Sequence, residues 1–128
     1  MNKNNEFQEH IEKRMENIRT GIAFIKTRAA DYKIKKVIEA FEKLSMTMEV
    51  ELADVIVDSS ASRDIDRKEI DIIYEWIENA GIQLLIVGEL SDITDDKDDL
   101  EKFIGDLCEK GMAILSIGEK VMFMDDCE

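Results

Sequence analysis

Apolar residues along this chain keep two rhythms that take turns. Residues 6–18 space Phe7, Ile11, Met15 and Ile18 at i, i+4, i+8 and i+11, a narrow stripe that predicts a charged amphipathic helix. After Thr20 the rhythm changes, and residues 21–27 form a short, mostly apolar run of strand length. Asp31 is placed to cap a second helix, in which Ile34, Val37, Ile38 and Phe41 share a face. Residues 48–57 read as a strand carrying Val50, Val55 and Val57.

A polar loop follows over residues 58–64. Asp66, with Glu69 three residues on, predicts the start of a helix carrying Ile70, Ile73, Tyr74 and Ile77. Gly81 closes that helix. Residues 82–87 are apolar almost throughout, as strands buried on both faces tend to be. A loop over 88–94 leads to an acidic helix start and to Leu100, Phe103, Ile104, Leu107 and Cys108 on one face. Gly111 ends it, residues 112–117 predict another strand, and residues 119–124 a short edge strand.

Strands alternating with helices predict a three-layer α/β/α domain over residues 20–128, preceded by an extra N-terminal helix over 1–19. Right-handed crossovers then give a mainly parallel sheet of four or five strands in the order 2-1-3-4(-5). The first crossover helix covers one face and the later helices the other. The functional crevice of such a sheet lies at the strand C-terminal ends, where the order reverses. Here Thr27, Arg28 and residues 89–92 would line it.

Composition narrows the classes. The chain has 128 residues, two cysteines, no proline and a net charge of −13. Residues 1–50 are slightly basic, at +2, whereas residues 51–128 carry −15. So acidic a body repels phosphate backbones and argues against autonomous DNA binding. No apolar run reaches the ~20 residues that span a bilayer. The polar start does not read as a secretory signal, so a cytoplasmic protein is expected. Cys108 and Cys127 fit neither a disulfide framework nor a zinc site.

The chain from about residue 20 to residue 124 resembles the catalytic domain of serine recombinases, the resolvase and invertase family. Residues 23–31 (AFIKTRAAD) stand where that family has a strand ending in Tyr-x-Arg-x-Ser. Residues 58–67 (DSSASRDIDR) are similar to Asp-x-x-x-Ser-Gly-x-x-x-Arg-Pro, and residues 90–95 (LSDITD) take the place of Leu-Asp-Arg-Leu-Ser-Arg. Residues 100–117 keep the family's helix-and-strand cadence.

The resemblance implies a serine that attacks a DNA phosphodiester and several arginines that stabilise the charged transition state. Carried over residue by residue, Lys26 falls at the first arginine and Arg28 at the nucleophile. Asp58, Ser62 and Arg67 match their counterparts. Ser91 stands for the family aspartate, while Asp92 and Asp95 replace arginines. Arginine cannot serve as that nucleophile, and two cations have become two anions. Like charges a few ångströms apart repel by about 4 kcal/mol at an effective dielectric near 20. Thr27, a conceivable substitute nucleophile, should point to the opposite face of its strand.

The expected function is therefore a recombinase-like pseudoenzyme acting through protein–protein contacts or self-association, with no cofactor and no metal. The alternative is an active recombinase subunit that relies on a separate DNA-binding partner. A small-ligand module in the same crevice finds no phosphate loop or nucleotide motif to support it. Asp95, Asp96, Asp98 and Asp99 read as helix-start acids rather than metal ligands. His10 reads as a solvated residue, and Trp76 as part-buried packing.

Overall fold

The computed structural model describes residues 19–28, 31–117 and 122–123. The expected N-terminal helix, the boundary at residue 19, His10 and Cys127 lie outside the described residues. The elements are β1 (Thr20–Lys26), α1 (Asp31–Thr47), β2 (Glu51–Asp58), α2 (Lys68–Ala80), β3 (Leu84–Val87), a 3-10 turn (Leu90–Asp92), α3 (Lys97–Glu109), β4 (Ala113–Ser116) and β5 (Met122–Phe123). The strands form one sheet in the order β2-β1-β3-β4-β5. The first four are parallel, and β5 pairs antiparallel with β4. This is the expected α/β architecture and strand order.

Strand alternation sorts the core into two layers. Ile22, Phe24, Ile56, Leu85, Val87 and Ile114 join a cluster with Ile70, Ile73 and Ile77 of α2 and Phe103 and Leu107 of α3. Ala23, Ile25, Leu84, Ile86, Ala113 and Leu115 join the opposite cluster, with Phe41, Val37, Ile38 and Leu44 of α1. All four residues of β3 are fully buried, which explains why residues 82–87 are apolar on both faces. Among the described residues, no helix is long and apolar enough to cross a membrane.

Several element boundaries move from their expected places, the start of β3 to Leu84 among them, and two moves have a cause in the contacts. The strand expected from residue 48 begins at Glu51, because α1 runs on to Thr47. Met48 N–H still donates to the Leu44 carbonyl, and Glu49 turns the chain in the left-handed region at φ 58°. The second helix begins at Lys68, with Arg67 rather than Asp66 in the capping position. Arg67 is extended (φ −145°, ψ 156°) and gives no side-chain cap. Asp66 instead donates its N–H to the Asp64 carboxylate at 3.0 Å. Gly81 ends the helix at φ 62°, where a Cβ would be strained. Trp76 is half-buried as expected, and its Nε1 donates to Asp54 Oδ2 at 3.0 Å.

Candidate functional site

Parallel register sets Lys26, the last residue of β1, beside Asp58, the last residue of β2. Alternation turns both toward the α2–α3 side, where Ile22, Phe24 and Ile56 already lie. The Lys26 ammonium donates to Asp58 Oδ2 at 3.1 Å, to the Ser60 carbonyl at 2.8 Å and to the Ser62 carbonyl at 2.6 Å. Three acceptors around one ammonium use all of its donors.

Arg67 reaches the same carboxylate from the other end of the loop. Its Nε donates to Asp58 Oδ2 at 2.9 Å. Nη1 donates to the carbonyls of Asp64 (2.7 Å) and Ile93 (2.6 Å), and Nη2 to that of Asp92 (2.6 Å). The guanidinium carbon lies 5.8 Å from the centroid of the Phe24 ring, within cation–π range. The extended backbone of Arg67 allows this reach, and it is the reason that α2 starts one residue late. Asp58 Oδ1 accepts from both the N–H and the hydroxyl of Ser60, at 2.9 and 2.7 Å.

The electrostatics follow. Burial pushes the Asp58 carboxyl up, but the Ser60 hydroxyl and N–H, then Lys26 and Arg67, more than reverse this and hold it at about 2. The Asp58 side chain is fully buried, and those of Lys26 and Arg67 are each only 7% exposed. Two cations and one anion are thus closed off together beneath the crevice.

The expected site residues divide into three groups. Lys26, Arg67 and the Ser62 carbonyl meet at Asp58. Ser91 and Asp92 join from the 3-10 turn, mainly through backbone. Asp92 Oδ2 accepts the Glu89 N–H at 3.1 Å, and the Glu89 side chain accepts the Asp92 N–H in return, which makes a capping box. The Ser91 hydroxyl points to Glu89 Oε2 at 3.4 Å. Burial raises the Asp92 carboxyl above its usual range, against the Glu89 hydrogen bond and Arg63, which lower it. Arg28 and Asp95 stand apart. Arg28 is exposed, and makes no hydrogen bond or ion pair with another described residue. Asp95 is exposed on a cleft of about 520 Å³ that Ser62, Arg63, Asp64, Thr94 and Asp99 also line.

One contributor was missed from sequence. Arg63 donates to the Ser91 carbonyl, and its Nη1 lies 3.7 Å from Asp92 Oδ1. It thereby clips the loop after β2 to the turn after β3. The signal was present, because the resembling motif has glycine after its serine where this chain has Arg63.

The fold has solved counterparts. The N-terminal catalytic domain of TP901-1 integrase superposes with a TM-score of 0.69 at 16% identity, over 79% of this chain and 78% of that one. The C-terminal catalytic domain of ISC1926 TnpA, an IS607-like serine recombinase, superposes with a TM-score of 0.65 at 12% identity, over 77% and 69%. No protein-family model matches the sequence, and no curated protein matches it. In fold, the chain is a serine-recombinase-like domain.

Proposed function

We propose that this serine-recombinase-like domain does not cut DNA and works through protein–protein contacts in the cytoplasm. The observation that carries the reading is where the cations go. The resemblance assigns Lys26 and Arg67 to the phosphate, yet both are bound to Asp58 and to backbone carbonyls, with 7% of each side chain exposed. A phosphate would have to displace five carbonyl acceptors and a carboxylate to engage them. Arg28 occupies the nucleophile position, and Asp92 is committed to its capping box. At the remaining arginine position Asp95 adds negative charge to a cleft already lined by Asp64, Asp96 and Asp99.

Chemically, such a crevice can hold its own loops together, but it offers an incoming phosphodiester no hydroxyl at the family's nucleophile position and few accessible cations. Thr27 does not repair this. Continued alternation from Ala23 and Ile25 turns it toward the α1 layer, away from Asp58 and Arg67. The experiment is incubation with supercoiled plasmid and labelled duplex at physiological salt. The expected result is no nicking, no covalent adduct and no gel shift. An adduct abolished by Thr27→Ala would overturn the reading.

A second reading is an active recombinase subunit working with a separate DNA-binding partner. It is favoured by one observation, that both structural counterparts are catalytic domains. The same plasmid assay, repeated beside a recombinase that supplies its own DNA-binding module, separates the two. Cleavage that needs this chain's Lys26 and Arg67 supports the second.

A further inference from the structure

The two faces of the sheet are not equally roofed. On one, both α2 and α3 pack against the strands. On the other, α1 is the described helix, and it packs on β2 and β1. A helix is about 10–12 Å across with its side chains, so it shelters about 5–6 Å to each side of its axis. Neighbouring strands lie about 4.8 Å apart, so a helix centred between β1 and β2 has β3 about 7 Å and β4 about 12 Å from its axis. Yet Leu84 and Ile86 of β3, and Ala113 and Leu115 of β4, belong to this face and are at most 1% exposed. Cover for β4 at least must come from outside the described residues.

We propose that residues 5–18 form a helix that lies on this face beside α1, with Phe7, Ile11, Met15 and Ile18 against β3 and β4. The inference goes beyond the contact-module reading and does not need it. Three observations select this segment. First, the chain arrives at the right place. The Arg19 N–H donates to Gln83 Oε1 at 2.6 Å and the Gln83 N–H to the Thr20 carbonyl at 3.0 Å, so β1 is entered beside the start of β3. Ile18, the last apolar residue of the stripe, immediately precedes that anchored point. So short a tether favours the chain's own segment over that of another copy, through a high effective concentration.

Second, the size fits. From Phe7 to Ile18 a helix rises about 16 Å, and four strand residues extend about 13 Å. Third, the polarity fits. At about 100° per residue, the four stripe residues fall within an arc of about 80°, while Glu9, Lys13 and Glu16 fall about 140–160° from its centre, toward solvent. Arg14 borders the stripe, and its stem is long enough to carry the charge clear of the sheet. The residues after β5 are a poorer cover: of residues 124–128, three are acidic and only Met124 and Cys127 are apolar.

The test is methyl NMR of the full chain, labelled at Ile, Leu and Met. Nuclear Overhauser contacts are expected from the Ile11 and Met15 methyls to those of Leu84 or Leu115. When Ile-labelled and Leu-labelled copies are mixed, no such contact should appear between them. Separately, Ile11→Asp should lower the melting temperature by about 6–11 °C, the worth of one buried isoleucine in a chain of this length. Glu9→Gln, on the far side, should leave it within about 2 °C. If Ile11→Asp does not fold, the contacts in the parent chain decide. Absence of those contacts overturns the proposal. So do contacts to α2 or α3 in their place, contacts only between copies, or an Ile11→Asp variant that melts with the parent.

Discussion

Replacing Asp58 with asparagine preserves the shape of the crevice floor and removes one charge. The carboxylate takes four hydrogen bonds, two from Ser60 and one each from Lys26 and Arg67. An amide offers a single acceptor oxygen, and its –NH2 must then face a donor. Lys26 and Arg67, each 7% exposed, are left as buried cations without a counter-charge. Removing one partner from such a buried network costs about 3–5 kcal/mol. At about 2.1 cal/mol/K of unfolding entropy per residue, a chain of this length should lose about 11–18 °C in Tm. Urea denaturation at pH 7, followed by circular dichroism, gives the loss directly.

The pH dependence supplies an independent measure. The folded-state carboxyl sits at about 2, below its ordinary 3.8, so its stabilisation is fully present above 3.8 and disappears as the pH falls toward 2. That shift corresponds to about 2 kcal/mol. Asp92 and Asp99 act in the opposite sense. Both carboxyls are raised, chiefly by burial, so the fold gains stability as they take up protons. The difference between parent and Asp58→Asn isolates the Asp58 part, and it should shrink by about 2 kcal/mol as the pH falls from neutral to below 2. A loss at pH 7 under about 1 kcal/mol, typical of exposed ion pairs, would refute the claim that the cations are locked inside.

Other substitutions probe the surroundings. Arg67→Met should cost more than Lys26→Met, measured by urea midpoint, because it leaves the carbonyls of Asp64, Asp92 and Ile93 without a donor at a penalty of about 1–3 kcal/mol each where buried. Gly21→Ala should lose about 1–3 kcal/mol, since its Cβ would lie 3.1 Å from the Leu84 carbonyl and 3.2 Å from Val50 Cγ1; an unchanged midpoint contradicts the close strand packing. Trp76→Phe should cost about 1 kcal/mol through the bond to Asp54, and Asp54→Ala should then add little to it. Carboxyl NMR titration of Asp92 should place it above 3.8, with Asp92→Asn neutral to within about 0.5 kcal/mol at pH 7.

Periodicity carried the fold because burial alone sets it. The apolar run that ends in β3 fits a central strand, since β3 is buried on both faces between the two helical layers. The stripes on α1, α2 and α3 each had one sheet face to reach. What sequence could not supply were features decided by contacts between distant segments. The start of α2 depends on Arg67 stretching back to Asp58, nine residues away, and that attraction exists only once Asp58 is at the end of β2. Asp66 had the better capping chemistry and lost to it. Likewise α1 continues through Thr47, where Ser45 and Thr47 also bond back to the carbonyls of Glu42 and Lys43, and β-branched Val50 alone could not signal where the strand begins. At the site, residue types were legible but directions were not: the resemblance names Lys26 and Arg67 together, and their turn inward onto Asp58 was not foreseeable.

That inward turn gives the altered crevice a consistent physical account. In a site built for phosphate, cations face a cavity that is filled only when the anion arrives, and their mutual repulsion is held in check by the scaffold until then. Here the counter-charge is permanent. Asp58 neutralises one unit of charge, and five carbonyls of the loops after β2 and β3, two on Lys26 and three on Arg67, disperse the rest. On the proposed reading, both cations serve as loop ties, and an acidic rim then repels no phosphate that the domain would need to bind. Asp92 supports its own turn, and Arg63 ties that turn to the loop after β2. Changing Arg28 to serine, for instance, would place a hydroxyl beside a crevice whose two buried cations are already bound to Asp58 and to backbone carbonyls.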